Sequence, residues 1–172
     1  QYASNDGWSV NVRRVCEAMT SFLPIAFVAS MALLLRGHHL FEWMDKGKVV
    51  VDPLIKNKYK YLNTPFFTIR MLFYFGVWLY FGRKIIGFSV TQDKTGDDSL
   101  TLRAVPWSIA FLLLFALTFT FISVDLMMSL QPHWFSTIFG VYCFGGLFQA
   151  TIAAMIILVI FCRRQGLLTG FV

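Results

Sequence analysis

Charge is what this sequence has least of. Only 14% of its 172 residues are Asp, Glu, Lys or Arg, where a soluble domain carries roughly 25%. Cysteine is scarce too. Cys16, Cys143 and Cys162 make an odd set with no C-x-x-C spacing, and two of them lie inside apolar runs, where the residue behaves as a small hydrophobe. That excludes a disulfide framework and leaves no basis for a zinc or iron–sulfur site. There is no signal-like apolar opening and no repeat at a fixed period. The chain opens on Gln1 rather than Met, so we expect the middle piece of a longer protein. The remainder is apolar: 57% hydrophobic residues, nineteen Phe and a mean hydropathy of +0.64. One soluble core of this size cannot bury that much aromatic surface. Disorder, coiled coils and secreted scaffolds are excluded together, and a membrane protein is expected.

A span needs about 20 mostly apolar residues to cross roughly 30 Å of hydrocarbon. Four stretches qualify: residues 19–35, 65–86, 105–130 and 136–161. They are continuously apolar and do not alternate in short pieces, so helices are predicted and a β-barrel is not. Pro24 is expected to bend the first span, and Pro65 fits the first turn of the second. Between the spans, residues 36–64 carry Trp43, Tyr59 and Tyr61 as an expected interfacial belt. Residues 87–103 read as a polar, turn-rich loop, and residues 131–135 as the tip of a tight antiparallel hairpin. The lead-in Gly7–Thr20 has helical spacing, with Arg13 and Glu17 four apart. In the fourth span Gly146, Ala150 and Ala154 form a stripe of small residues suited to close helix packing, with Gln149 beside it.

The net charge of +6 does not point to nucleic acid, because the basic residues cluster at the ends of apolar runs. Eight Lys and Arg lie on the N-terminal side of the four spans and six on the other. The excess favours both ends of the chain inside.

Ionisable groups within apolar runs cost about 2.5–3.5 kcal/mol each on insertion scales, so each needs a reason. Asp125 is the first, with Thr118 and Ser129 on its helical face at spacings of seven and four. The stripe is one wall of a proton path, or Asp125 ties helix ends together near the headgroups. Arg70 is the second. It is a partner for a carboxylate, an anion or a quinone oxygen, or its stem snorkels to the interface. Glu17 is a third candidate at the opposite membrane face, where Arg13 can neutralise it. His38, His39 and His133 fall outside the apolar runs near one face. Haem ligation across a bundle is therefore not expected. His133 suits proton exit or a quinol headgroup, or equally a helix-end contact. A small secondary transporter would show interrupted helices in paired positions, and only Pro24 hints at a break.

Four strings together resemble one family. MSLQPHWFSTIFGVYCFGG (128–146), YLNTPFFTIR (61–70), HHLFEWMDK (38–46) and GWSVNVRRVCEAM (7–19) are similar, in order, to blocks of the ActF-type subunit of bacterial alternative complex III. That complex is a quinol:cytochrome c oxidoreductase, and its ActF subunit is similar to NrfD-like integral membrane subunits. The resemblance implies an all-α transmembrane fold in which four spans form part of a paired four-helix-bundle subunit of about ten spans. It implies the bacterial cytoplasmic membrane as location. Implied partners are the NrfD-like paralogue ActC, a multihaem cytochrome c, an iron–sulfur subunit and a mono-haem cytochrome c. Menaquinol or another quinol would be the substrate of the assembly, with c-type haems and iron–sulfur clusters in the partners and no cofactor in this chain. Asp125, His133 and Arg70 match the family's acidic position, its histidine and the arginine after TPFF. Leu126, where tryptophan is commoner, and Cys16, where proline is frequent, depart from the pattern. The implied role is proton movement through Asp125, with Arg70 and Glu17 setting the path. A cofactor-free membrane scaffold is the alternative.

Overall fold

The computed structural model describes residue 2, residues 13–35 and residues 37–166. The part of the lead-in from Gly7 to Val12, and the side chain of His38, lie outside the described residues. Among those described there is helix and turn but no strand.

Helix α1 (Arg13–Met19) runs through a 3-10 turn at Thr20–Phe22 into α2 (Leu23–Leu35), with Pro24 just inside the second helix. Residues 37–58 fold into short pieces: α3 (Gly37–Leu40), a 3-10 turn at Glu42–Met44, α4 (Lys46–Val51) and α5 (Pro53–Lys58). Asp45 and Asp52 accept amide hydrogen bonds at the starts of α4 and α5, which is why this polar stretch breaks there. The long helices α6 (Thr64–Thr95), α7 (Ser99–Leu126) and α8 (Phe139–Arg164) follow. Helices α6 and α7 pack antiparallel, α8 lies along α7 as the expected hairpin, and α2 lies against α6.

Among the described residues three segments are long and apolar enough to cross a membrane: Arg13–Leu35, Ser99–Leu130 and Phe139–Arg164. By the length and composition of its helices the chain is a multi-pass membrane protein. Helix α6 is long enough, but its apolar stretch is interrupted by Arg70, Arg83 and Lys84 and thinned by tyrosines and a tryptophan.

Several boundaries differ from expectation. The turn-rich loop at 87–103 is almost wholly helical, and only Gly96–Asp98 separates α6 from α7. Nothing in GFSVTQDKT breaks a helix, and the hydroxyls of Thr91 and Thr95 donate to carbonyls one turn back. Gly96, at φ 67°, ends α6 in the left-handed conformation that glycine adopts without strain. Helix α7 continues upstream of Pro106 and stops at Leu126, with a 3-10 turn at Met128–Leu130 completing the expected third run.

The core gathers at one end, where residues 37–62 fold over the first half of α6. Trp43 is not in an interfacial belt. It is 1% exposed and packs on Phe41 and Phe67 at centroid distances of 5.2 and 5.3 Å. At the Gly146 end of the Gly146–Ala150–Ala154 stripe nothing of this chain lies within 4 Å of a Cβ built on the glycine. The close crossing of α7 and α8 is at Gly140, where such a Cβ would lie 2.8 Å from the Thr120 methyl.

Candidate functional site: a buried charge pair

Arg70 lies one and a half turns into α6, and its side chain leans back toward the helix start as helical side chains do. Asp125 comes from the last turn of the antiparallel α7, which ends at the same level. The two meet in a bidentate pair: Arg70 Nε donates to Asp125 Oδ2 at 2.8 Å and Nη2 to Oδ1 at 2.9 Å. Asp125 is fully buried, and the Arg70 side chain is 9% exposed. Tyr74, one turn along α6, donates its hydroxyl to Asp125 Oδ2 at 3.2 Å.

Arg70 is enclosed as well. Its Nη1 donates to the Tyr61 carbonyl at 2.9 Å, and its guanidinium lies over the Tyr61 ring at 3.8 Å and the Phe66 ring at 4.5 Å. Of the two sequence readings of Arg70, the carboxylate partner is the one the structure shows: the guanidinium is buried against Asp125 and Tyr61. Burial, then the charge of Asp125, pushes the Tyr61 phenol up to about 12.

The other predicted residues distribute around this pair. Ser129 is buried and donates to the Asp125 backbone carbonyl. Thr118 is on the same face but engaged elsewhere: it accepts from Trp78 Nε1 at 2.8 Å and donates to the Leu114 carbonyl at 2.7 Å. His133 lies outside the helices, with Nε2 2.6 Å from Asp52 Oδ2. Partial desolvation raises the Asp52 carboxyl, but the amides of Leu54 and Ile55 and the facing His133 outweigh it and hold it below the usual range. This link, with Lys58 donating to the Pro132 carbonyl, ties α5 to the 131–135 segment.

Glu17 belongs to a separate polar cluster at the other end of α6. Arg14 Nη1 donates to Glu17 Oε2 at 2.6 Å, and Arg14 also bonds the Ser89 carbonyl and Asp93. Arg13 Nε lies 3.8 Å from Glu17 Oε1, the local neutralisation that the four-residue spacing predicts. Tyr74 and Ser89 are fifteen residues apart on α6, about 22 Å at 1.5 Å per residue. That interval is filled with rings. Phe81 stacks on Phe111 at 5.8 Å, Phe111 meets Phe115 at 5.7 Å, and Trp78 meets Phe115 at 5.4 Å.

Sequence reasoning missed the contributions of Tyr61, Trp78 and Asp52. Tyr61 was legible only as an aromatic, because its carbonyl role depends on how the chain turns into α6. Among the described residues no three His, Cys, Asp or Glu side chains group as a metal site would require. No protein-family model matches the chain, and no curated protein matches it.

Proposed function

We propose that this chain is an integral subunit of a quinol-oxidising electron-transfer assembly of the alternative complex III kind, in the bacterial cytoplasmic membrane. Here α6 is a fourth span beside the other three, making part of an NrfD-like bundle. The chain anchors the ActC-like paralogue and the haem- and iron–sulfur-bearing partners, which carry the electrons. The support is the family resemblance together with the outward apolar faces of α2 and α8, whose apolar stretches have little or no burial within the chain. Such faces suit lipid and neighbouring helices.

Within that role the observation of most weight is the saturation of Asp125. Both carboxylate oxygens are engaged by Arg70, and one by Tyr74 as well. A carboxylate held this way favours a pin joining α6 to α7 and thus the anchoring function. A proton path through Asp125, with Arg70, Ser129 and Thr118 along it and Glu17 and His133 near its two ends, is the second reading. It is favoured by one fact: an ionisable group sits in an apolar helix at zero exposure, which is costly and in membranes usually functional. For Asp125 to carry a proton, Arg70 must first release a carboxylate contact while Tyr61 keeps hold of its guanidinium.

Asp125→Asn in the assembled complex separates the two. Anchoring predicts a complex of lower thermal stability, because Arg70 loses its counter-charge, in which the protons moved per quinol oxidised by the assembled fraction stay unchanged. Loss of proton movement from a complex that assembles and still oxidises quinol would establish the relay instead.

A further inference from the structure

Beside the charge pair, on its outer side, lies a groove of about 330 Å³ that neither reading of the chain uses. One lip is the end of α5 and the turn before α6, with Lys58, Lys60 and Tyr61. The other is the end of α7 and the segment after it, with Val124, Met128 and Trp134. Both lips stand where apolar helix gives way to polar loop, the level of lipid headgroups. We propose that this groove binds an anionic phospholipid, with its phosphate at Lys58 and Lys60 and an acyl chain running down α7.

Charge complementarity argues for the headgroup. Lys60 has no carboxylate within ion-pair distance among the described residues, and neither has its neighbour Lys56. Lys58 gives one proton to the Pro132 carbonyl, which leaves its charge uncompensated. The nearby carboxylates are occupied: Glu42 by Lys48, Asp52 by His133, and Asp125 by Arg70. The rim therefore carries net positive charge beside an apolar floor.

The tail is argued from α7. Met128, Val124, Phe121, Leu117 and Leu113 recur every three or four residues, on a face distinct from the one that meets α6 through Thr118, Ile122 and Asp125. Phe121, Leu117 and Leu113 are 50%, 61% and 65% exposed. The groove thus opens onto an apolar strip leading toward the membrane centre. A soluble anion would use the lysines and leave this strip bare. A zwitterionic lipid would use the strip, but its phosphate is already offset by its own ammonium and leaves the lysine charge in excess. The inference needs the helices to lie in a membrane, but it does not depend on the electron-transfer role.

Trp134, 49% exposed on the lip, supplies the readout. The full chain in mixed micelles is titrated with phosphatidylglycerol or phosphatidylcholine brominated on the acyl chains, and tryptophan quenching is followed. Trp134→Phe identifies the component that reports the groove. Phosphatidylglycerol should quench that component at five- to tenfold lower mole fraction than phosphatidylcholine. Lys60→Gln should lower the preference about fivefold, the effect of one lysine at an anionic surface, and Lys60→Arg should restore it. Added salt should weaken quenching by phosphatidylglycerol alone, a test that needs no variant. Equal quenching by the two headgroups would overturn the proposal, and displacement of both by a short-chain quinone would reassign the groove to quinone. A preference that survives Lys60→Gln and high salt would overturn it as well.

Discussion

A carboxylate and a guanidinium inside an apolar helix pair stabilise each other only as long as both are present. Removing one leaves a buried charge without its partner, which costs about 3–5 kcal/mol, whereas replacing both with apolar side chains of similar volume is often neutral. Asp125→Leu and Arg70→Met should therefore each lower thermal stability in detergent sharply, by several kcal/mol. The double variant should recover most of the loss. If the double variant is as unstable as the two losses added, the pair does not act as a unit. Tyr61 gives a second, pH-dependent test of the same pocket. Its phenol is pushed from the ordinary 10 to about 12, first by burial and then by the Asp125 charge. A raised folded value means that its contribution is complete below pH 10 and is lost as the pH climbs toward 12. Tyr61→Phe has no proton to lose, so its stability should decline less over that interval. Parallel unfolding curves for the two proteins between pH 10 and 12 would contradict the placement of Tyr61 against Asp125. Both charged residues were legible in the sequence because charge is conspicuous in apolar runs. Their pairing with each other was not, because 55 residues separate them and no periodicity links two different helices.

At the scale of elements, continuous apolarity located the three helices now seen to be long and apolar enough to cross a membrane, yet it marked their ends poorly. Apolarity reports where hydrocarbon lies, while a helix ends where its backbone hydrogen bonds stop. Helix α6 therefore runs on through polar residues to Gly96, and Gln92 closes the turn by donating to Asp98 and accepting from Thr101. The small-residue stripe on α8 meets no neighbour of this chain at Gly146, so its contact has to come from outside the described residues. Glycine and alanine at four-residue spacing permit close approach, but they do not say which helix arrives. Within the chain, α7 and α8 come closest at Gly140, where an added Cβ would lie 2.8 Å from the Thr120 methyl and 3.2 Å from the Thr120 Cα. The methyl can move and the backbone cannot. Gly140→Ala should cost about 1–3 kcal/mol, the usual range for overpacking. Thr120→Ala should relieve part of that cost when combined with it, because it removes the nearest atom only. Gly146→Ala, with open space around it, should be close to neutral within the chain. Thermal melts of the three variants and the Gly140→Ala/Thr120→Ala combination would check the order.

The whole molecule has a polar cluster at each end of α6 and rings between them. Arg70, Asp125 and Tyr74 occupy one end, and Glu17, Arg13, Arg14 and Asp93 the other. In the interval, Trp78 spends its indole proton on Thr118, and Thr118 spends its own on the Leu114 carbonyl, so this polar contact closes on itself. Beyond it, Phe115, Phe111 and Phe81 pack ring against ring toward Trp107, with Phe81 and Trp107 at 5.9 Å. A proton moves along hydrogen-bonding groups or water, and a column of packed aromatic rings offers neither. Any proton that passes between the two clusters must therefore leave the ring-filled α6–α7 seam and travel along the outer surface of the helices. That has a direct consequence for the chain reconstituted alone. Vesicles carrying it, loaded with a pH-sensitive dye and polarised with potassium and valinomycin, should acidify no faster than protein-free vesicles. Asp125→Asn should make no difference to that rate. A proton flux that the isolated chain supports and Asp125→Asn abolishes would show that the ring column opens. It would place the whole path inside this one chain rather than at its boundary.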